Sequence, residues 1–189
     1  MKPVRLAILG LGTVGGGALK LLQENAAEIK RRTGREIQIT YVGTRRPRPD
    51  LNLEGIKQSA DLLEIVRQPD VDVVVEVMGG IHPAYEVISE AIKHGKQVVT
   101  ANKALLAEHG NELFKAAEDN AVQVAYEAAV AGGIPIIKVI REGLAANKID
   151  WLAGIINGTG NFILTEMRDK GRAFADVLKE AQELGYADA

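Results

Sequence analysis

A glycine-rich stretch directly after the first apolar run constrains the fold of this chain more than any other feature. Residues 6–9 are apolar, and Gly10, Gly12 and Gly15 then give the spacing G-x-G-x-x-G at the start of a helical pattern. The first glycine permits a tight turn, the second lets a pyrophosphate approach the backbone, and the third lets helix and strand pack closely. Free N–H groups at the helix N-terminus favour phosphate. The pattern predicts a dinucleotide site, and the alternative is a tight turn in another kind of α/β domain.

Apolar runs and helical patterns alternate over the first two thirds of the chain. Strands are predicted at residues 6–9, 37–42, 71–77, 97–100 and 122–126, and helices at 14–32, 60–66, 83–94 and 105–120. This alternation predicts an α/β fold, a Rossmann-type doubly wound parallel sheet. We expect residues 1–130 to form the dinucleotide-binding domain. Residues 131–189, with a predicted strand at 148–156 and helices at 162–169 and 173–184, are expected to begin an α+β second domain.

Composition excludes several classes of function. The net charge of −2 and the hydrophobic share of 47% in 189 residues are typical of a globular protein, compatible with the cytoplasm. No basic face suggests nucleic acid, and no apolar run is long enough to span a membrane. The chain has no cysteine, so disulfides, thiolate zinc sites and thioester chemistry are excluded.

The residues after the second predicted strand bear on the choice of cofactor. NAD sites usually place an Asp or Glu there to bind the ribose hydroxyls. This chain has Gly43-Thr-Arg-Arg-Pro-Arg48 instead. Arg45 and Arg46 would attract a 2′-phosphate, so NADP is favoured and NAD remains possible. The alternative is a basic loop that is simply solvated.

Three further segments should lie at the carboxyl ends of predicted strands, where open parallel sheets bind ligands. Gly79 follows the strand at 71–77 and would let backbone pass under the nicotinamide ribose. Thr100, Asn102 and Lys103 follow the strand at 97–100 and are expected to face the same crevice. Lys103 could hold an anion or donate a proton to a developing alkoxide. The alternative for Lys103 is a surface cation at a helix start, a position that the helix dipole disfavours.

Residues 127–134 are small, apolar and rich in glycine. We interpret them as an irregular turn with exposed backbone carbonyls, followed by a helix that begins near Pro135, because proline fits the first turn of a helix. Carbonyl oxygens are the ligands that hard cations prefer.

Four stretches together resemble homoserine dehydrogenase, and the resemblance runs from Val4 to the last residue. They are Ala101-Asn-Lys-Ala-Leu-Leu106, Tyr126-Glu-Ala-Ala-Val-Ala-Gly-Gly-Ile-Pro-Ile-Ile-Lys138, Gly154-Ile-Ile-Asn-Gly-Thr-Gly-Asn-Phe-Ile-Leu-Thr165 and Glu180-Ala-Gln-Glu-Leu-Gly-Tyr186. These long stretches are far more specific than the glycine loop alone.

The resemblance implies reversible NAD(P)-linked reduction of aspartate 4-semialdehyde, a small-molecule substrate, to homoserine on the route to threonine and methionine. It implies a homodimer, formed through the substrate domain, in the full-length protein. It also implies a monovalent cation, usually sodium. The residues concerned are Gly10, Gly12, Thr13, Val14, Gly15 and Lys103 at the cofactor, Gly158, Thr159 and Asp188 at the substrate, and Glu127, Val130, Gly132 and Ile134 at the cation.

The sequence departs from the family pattern in ways that leave alternatives open. The family usually has a glutamate where this chain has Asp188. The family continues with a D-P segment and a D-x-x-G-x-D-x-x-x-K region, which supplies an acid and a lysine at the reacting groups. We therefore expect a truncated chain, with a nucleotide-binding module without turnover as the alternative. A semialdehyde dehydrogenase is disfavoured, because that chemistry needs a thiolate nucleophile.

Overall fold

Six parallel strands form the sheet in the computed structural model, which describes residues 2–155, 157–184 and 186–187. Their order is β3-β2-β1-β4-β5-β6, and every neighbouring pair is parallel. This arrangement confirms the predicted Rossmann-type sheet and places its topological switch point between β1 and β4. The strands are β1 Val4–Leu9, β2 Ile37–Gly43, β3 Lys57–Ser59, β4 Val73–Glu76, β5 Gln97–Thr100 and β6 Val124–Ala125.

Five helices connect these strands: α1 Thr13–Glu24, α2 Ala26–Thr33, α3 Leu62–Arg67, α4 Ala84–Lys93 and α5 Lys103–Asp119. The single helix expected at 14–32 is divided at Asn25, whose side-chain amide donates to the Leu21 carbonyl at 3.0 Å. Strand β3 was not predicted, because its three residues are polar and carry no apolar run. No helix in the described part of the chain is long and apolar enough to cross a membrane.

Helices cover both faces of the sheet, and the alternation of side chains along β1 shows why. Ala7 and Leu9 belong to the larger apolar cluster, with Ile65, Ile88 and other residues of α3, α4 and α5. Ile8 points to the opposite face and packs in a second cluster that includes Leu19 of α1 and Val42 of β2. All three β1 residues are fully buried. Burial on two faces explains why the strands are continuous apolar runs.

The chain divides into two compact units, Met1–Ile137 and Lys138–Ala189. A 3₁₀ turn, Glu127–Ala129, follows β6, and α6, Ile136–Lys138, continues as a single π-helical turn, Val139–Gly143. The second unit contains α7, Gly158–Lys170, and α8, Phe174–Glu183. These two helices pack around Ile163, Val177 and Ala181.

The strand expected at 148–156 is wrong for residues 148–155, and residue 156 lies outside the described residues. A strand requires a ladder partner, and no described residue pairs with this segment. Its apolar side chains are solvent-exposed, with Trp151 at 80% and Ile155 at 79% relative exposure.

The close approach of α1 to β1 gives the first prediction. A Cβ atom built on Gly15 would lie 1.8 Å from the Gly10 carbonyl oxygen, whereas one built on Gly17 meets nothing within 4 Å. Gly15→Ala should therefore lower the free energy of unfolding by about 1–3 kcal/mol or more. The clash is with a backbone atom of Gly10, which cannot move aside by rotating about a side-chain bond. Gly17→Ala, in the same helix, should change it by less than about 1 kcal/mol. Urea unfolding measures both, and equal effects would contradict the packing argument.

Candidate functional site

The glycine loop leaves an open cradle at the N-terminus of α1. Gly10 has φ +98°, and a Cβ there would lie 2.9 Å from the Met78 Cα and from the Val77 carbonyl oxygen. Gly12, by contrast, is exposed, and a Cβ built on it meets nothing within 4 Å. This open space lies beside backbone N–H groups that no side chain caps. It fits the diphosphate of a dinucleotide.

On the other side of the sheet, α3 and α5 have side-chain caps at their N-termini, whereas α4, like α1, has none. The Asp61 carboxylate caps α3, and the Asn102 side chain caps α5 by accepting from the Leu105 N–H at 3.1 Å. In α1 the first turn carries no acidic residue, and Thr13 and Val14 are exposed. The uncapped end of α1 is therefore available to an anionic ligand.

Packing accounts for the missing carboxylate at the end of β2. A Cβ on Gly43 would lie 2.4 Å from Leu62 Cδ2 and 2.9 Å from Leu9 Cδ2. A side chain here would require the Leu62 and Leu9 side chains to move, so packing favours glycine and the absence of Asp or Glu does not by itself select NADP. Arg45 and Arg46 follow in an exposed turn, in which the Arg46 N–H donates to Thr44 Oγ1. Within the described residues their guanidinium groups form no ion pair and remain accessible to a phosphate.

Arg48, and not only the two arginines chosen from the sequence, bears on the cofactor site, because it contacts the glycine loop. Its Nη1 is 3.5 Å from the Gly12 carbonyl oxygen, and its Nη2 would lie 3.4 Å from a Cβ on Gly16. Asp50 holds the same guanidinium through bonds of 2.9 and 2.7 Å. The Arg48 hydrogen bond lowers the pKa of Asp50 to about 2. Sequence reasoning missed this residue, although it belongs to the same basic run.

A buried polar network joins the carboxyl ends of β4 and β5. Glu76 is fully buried, and its carboxylate accepts from the Met78 N–H at 2.8 Å and from the Thr100 hydroxyl at 2.7 Å. Thr100 Oγ1 in turn accepts the Asn102 N–H at 3.0 Å, and the Asn102 amide donates to the Gly80 carbonyl at 2.6 Å. The Thr100 side chain therefore points into this network rather than into the crevice expected from the sequence.

Gly79 and Lys103, two of the residues predicted to bind the cofactor, are exposed in this region. Gly79 has φ +77°, and a Cβ built on it meets nothing within 4 Å, so its backbone borders open space. Lys103 is the first residue of α5, directly after the Asn102 cap. It forms no ion pair with any described residue. An ammonium group held at the positive end of a helix dipole favours binding of an anionic partner.

The segment 127–134 is irregular, as predicted. Ala131 and Gly132 have φ values of +55° and +60°, so the chain turns sharply there. The Glu127 and Ile134 carbonyls accept local hydrogen bonds, from Val130 N at 3.2 Å and Ile136 N at 2.8 Å. Glu127 Oε1 accepts the Ile137 N–H at 2.9 Å. Within the described residues, no group of three or more His, Asp or Glu side chains could hold a metal, so a cation here would depend mainly on carbonyls.

Two of the three predicted substrate residues, Gly158 and Thr159, lie at the start of α7. Asn157 caps this helix by accepting from the Gly160 N–H at 2.7 Å. Gly158 is exposed, and the Thr159 hydroxyl donates to the Tyr186 carbonyl. Asp188 lies outside the described residues. The assignment of all three to substrate binding stays a prediction.

The parallel sheet, with an open glycine loop beside its switch point, defines a dinucleotide-binding protein of the Rossmann type. A family model described as "Homoserine dehydrogenase, NAD binding domain" matches residues 10–127, and one described as "Homoserine dehydrogenase" matches residues 135–189. The chain belongs to the homoserine dehydrogenase family, and its first part is a nicotinamide-dinucleotide-binding domain.

Individual relatives agree with the family match. A homoserine dehydrogenase of Pseudomonas aeruginosa is 59% identical over 189 residues; the match covers 100% of this chain and 44% of that protein. A homoserine dehydrogenase structure from Thiobacillus denitrificans has a TM-score of 0.90 at 57% identity, covering 100% of this chain and 44% of that one. A hyperthermophilic archaeal homoserine dehydrogenase in complex with NADPH has a TM-score of 0.82 at 26% identity, and the match covers 100% of this chain and 63% of that one. The chain thus spans less than half the length of its first curated relatives.

The Arg48–Asp50 pair gives a prediction about pH. Because the folded-state pKa of Asp50 lies below the ordinary value of 3.8, the pair contributes stability above that value and loses it as pH falls through about 2. Titration of the Asp50 carboxyl carbon by NMR should give a midpoint of about 2. Arg48→Gln should return the midpoint toward 3.8, whereas Arg46→Gln should leave it unchanged. If the Asp50 midpoint were the same in Arg48→Gln as in wild type, the ion pair would not form in solution.

Proposed function

We propose that this chain carries the cofactor-binding domain, and the start of the catalytic domain, of an NAD(P)-dependent homoserine dehydrogenase. Such an enzyme would interconvert aspartate 4-semialdehyde and homoserine in threonine and methionine biosynthesis. The observation that carries the proposal is the open, uncapped glycine loop at the N-terminus of α1. The two family models, matched in order along the chain, support it.

The residues of this chain would bind and orient the reactants. The N–H groups of Thr13, Val14 and Gly15 would hold the cofactor diphosphate, and the Gly79 backbone would border the nicotinamide end. The bound dinucleotide supplies the hydride. Lys103 carries ammonium donors that can stabilise charge on the carbonyl oxygen or protonate it. Gly158, Thr159 and Asp188 are proposed to contact the substrate.

Cofactor preference is proposed to favour NADP, with NAD possible. Arg45 and Arg46 are exposed after β2 and have no ion-pair partner among the described residues. A guanidinium–phosphate contact is charge-assisted and strong. The archaeal relative that was solved with NADPH is consistent with this preference.

Replacing Arg45 and Arg46 together with alanine tests the preference. NADPH affinity should fall by about tenfold or more, because the 2′-phosphate loses its cationic partners. NADH affinity should change by less than about twofold, since it lacks that phosphate. Calorimetric titration measures both. The matched control, Arg31→Ala/Arg32→Ala, removes the same charge from the end of α2. An equal loss of NADPH and NADH affinity in the test variant would end the proposal.

A monovalent cation, sodium by resemblance, is proposed to bind at residues 127–134 through Glu127, Val130, Gly132 and Ile134. The sharp turn at Ala131 and Gly132 supports this, because it leaves backbone carbonyls outside any strand ladder. Hard cations prefer such oxygen ligands.

Thermal unfolding in sodium chloride, against choline chloride at equal ionic strength, tests the cation site. Sodium should raise the melting temperature, because a ligand that binds only the folded state stabilises it. Gly132→Ala, at φ +60°, should abolish this rise by changing the turn. Gly133→Ala has no positive φ, and its Cβ would meet nothing within 4 Å, so it serves as the control. An identical melting temperature in both salts would refute a sodium site.

A nucleotide-binding module without turnover is the second candidate, because the open glycine loop accounts for cofactor binding and not for turnover. Tight NADPH binding without NADPH oxidation on aspartate 4-semialdehyde would separate it from the enzyme. We also propose that the full-length protein acts in the cytoplasm as a homodimer, with no nucleic-acid or membrane partner.

A further inference from the structure

Glu76 is a buried acid for which the proposed mechanism has no role. Its side chain is fully buried at the end of β4, between Leu9 of β1 and Thr100 of β5. It forms no ion pair with any described lysine or arginine. Burying a carboxylate without a cation is costly, so such a group needs a compensating set of donors or a functional reason.

The donors around Glu76 match an ionised carboxylate. Each oxygen accepts one hydrogen bond, from the Met78 N–H and from the Thr100 hydroxyl. Thr100 Oγ1 also accepts the Asn102 N–H, so this hydroxyl connects Glu76 with the segment 100–102. A carboxylate accepts at both oxygens, whereas an amide would present an NH₂ group toward the Thr100 oxygen. Both contacts are donations to Glu76 oxygens, which suits a carboxylate at this position.

The position of this charge is what suggests a role beyond packing. Glu76 lies directly before the segment 77–80 and contacts the segment 100–102, and these two segments follow the strands at the ligand-binding edge of the sheet. An oxidised nicotinamide ring carries one positive charge, and a reduced ring carries none. A buried negative charge near this edge interacts with the first form more favourably than with the second.

We propose that Glu76 is a positioning residue that shapes the nicotinamide end of the crevice and, by its charge, favours oxidised over reduced nicotinamide dinucleotide. The proposal rests on the function proposed above, because it assumes that the dinucleotide binds here. Through its contacts with Met78 and Thr100, and through Thr100 with Asn102, Glu76 fixes the geometry of the two segments that follow β4 and β5. Its charge acts through space on the affinity for the oxidised dinucleotide.

The test compares dissociation constants of NADP⁺ and NADPH by calorimetric titration of the full 189-residue chain. Glu76→Gln should shift the ratio of the two constants about five- to tenfold toward the reduced form, the size expected for one charge at roughly 12 Å and an effective dielectric constant of about 20. Thr100→Val is the control, since it removes the hydrogen bond from Thr100 to Glu76, and with it the acceptor of the Asn102 N–H, and keeps the charge. It should weaken both forms equally and leave the ratio within about twofold of wild type.

Equal weakening of both forms by Glu76→Gln, as in the control, would show a merely structural role and overturn the proposal. An unchanged ratio without weakening would also overturn it. If Glu76→Gln does not fold, Glu76→Met provides a second neutral side chain of similar length. If neither folds, the wild-type ratio is measured between low and high salt. It should stay constant, because a buried charge is weakly screened, and a ratio that approaches unity with salt would contradict the proposal. Failure of wild type to bind either form would instead refute the proposed function, and this inference with it.

Discussion

The contact between the Gly10 carbonyl and the backbone of Gly15 is the constraint on which the rest of the first unit depends. The distance of 1.8 Å from a built Cβ means that only glycine permits α1 to start where it does. At this start position no side chain caps the first turn, and the space beside Gly12 is open. The same close packing brings Leu19 onto Ile8 in the cluster on that face. Packing and phosphate recognition therefore depend on one backbone geometry.

Buried ionisable groups connect the loops at both edges of the sheet. At the amino edge, Lys96 donates to the Gln68 and Val71 carbonyls at 2.7 Å each, and burial lowers its pKa. At the carboxyl edge, Glu76 accepts from Met78 and Thr100. Both groups are satisfied mainly by neutral partners, which is how a low-dielectric interior tolerates charge. The Lys96 hydrogen bonds stabilise the connection that leads into β4. The Glu76 hydrogen bonds lie at the carboxyl ends of the strands, where open parallel sheets bind ligands.

The residues that sequence reasoning missed share one property: their roles depend on contacts between distant segments. Arg48 reaches Gly12, 36 residues away, and Glu76 meets Thr100 across 24 residues. No local pattern distinguishes Arg48 from Arg45 and Arg46 in the basic run. Thr100 was expected to face the crevice, because it follows a strand, yet its hydroxyl is bonded to a buried carboxylate. The strand expected at 148–156 is absent over residues 148–155, because strands depend on partners.

Local chemistry in the sequence was sufficient for five of the six described strands, for the glycine loop and for the family. Apolar runs, glycine spacing and helix starts depend on neighbouring residues, so periodicity and turn chemistry reveal them. The tertiary structure alone decided which arginine approaches the loop, why β2 ends in Gly43 and what surrounds Glu76. These features depend on which side chains the parallel crossovers bring together, and that juxtaposition is not encoded in any contiguous stretch.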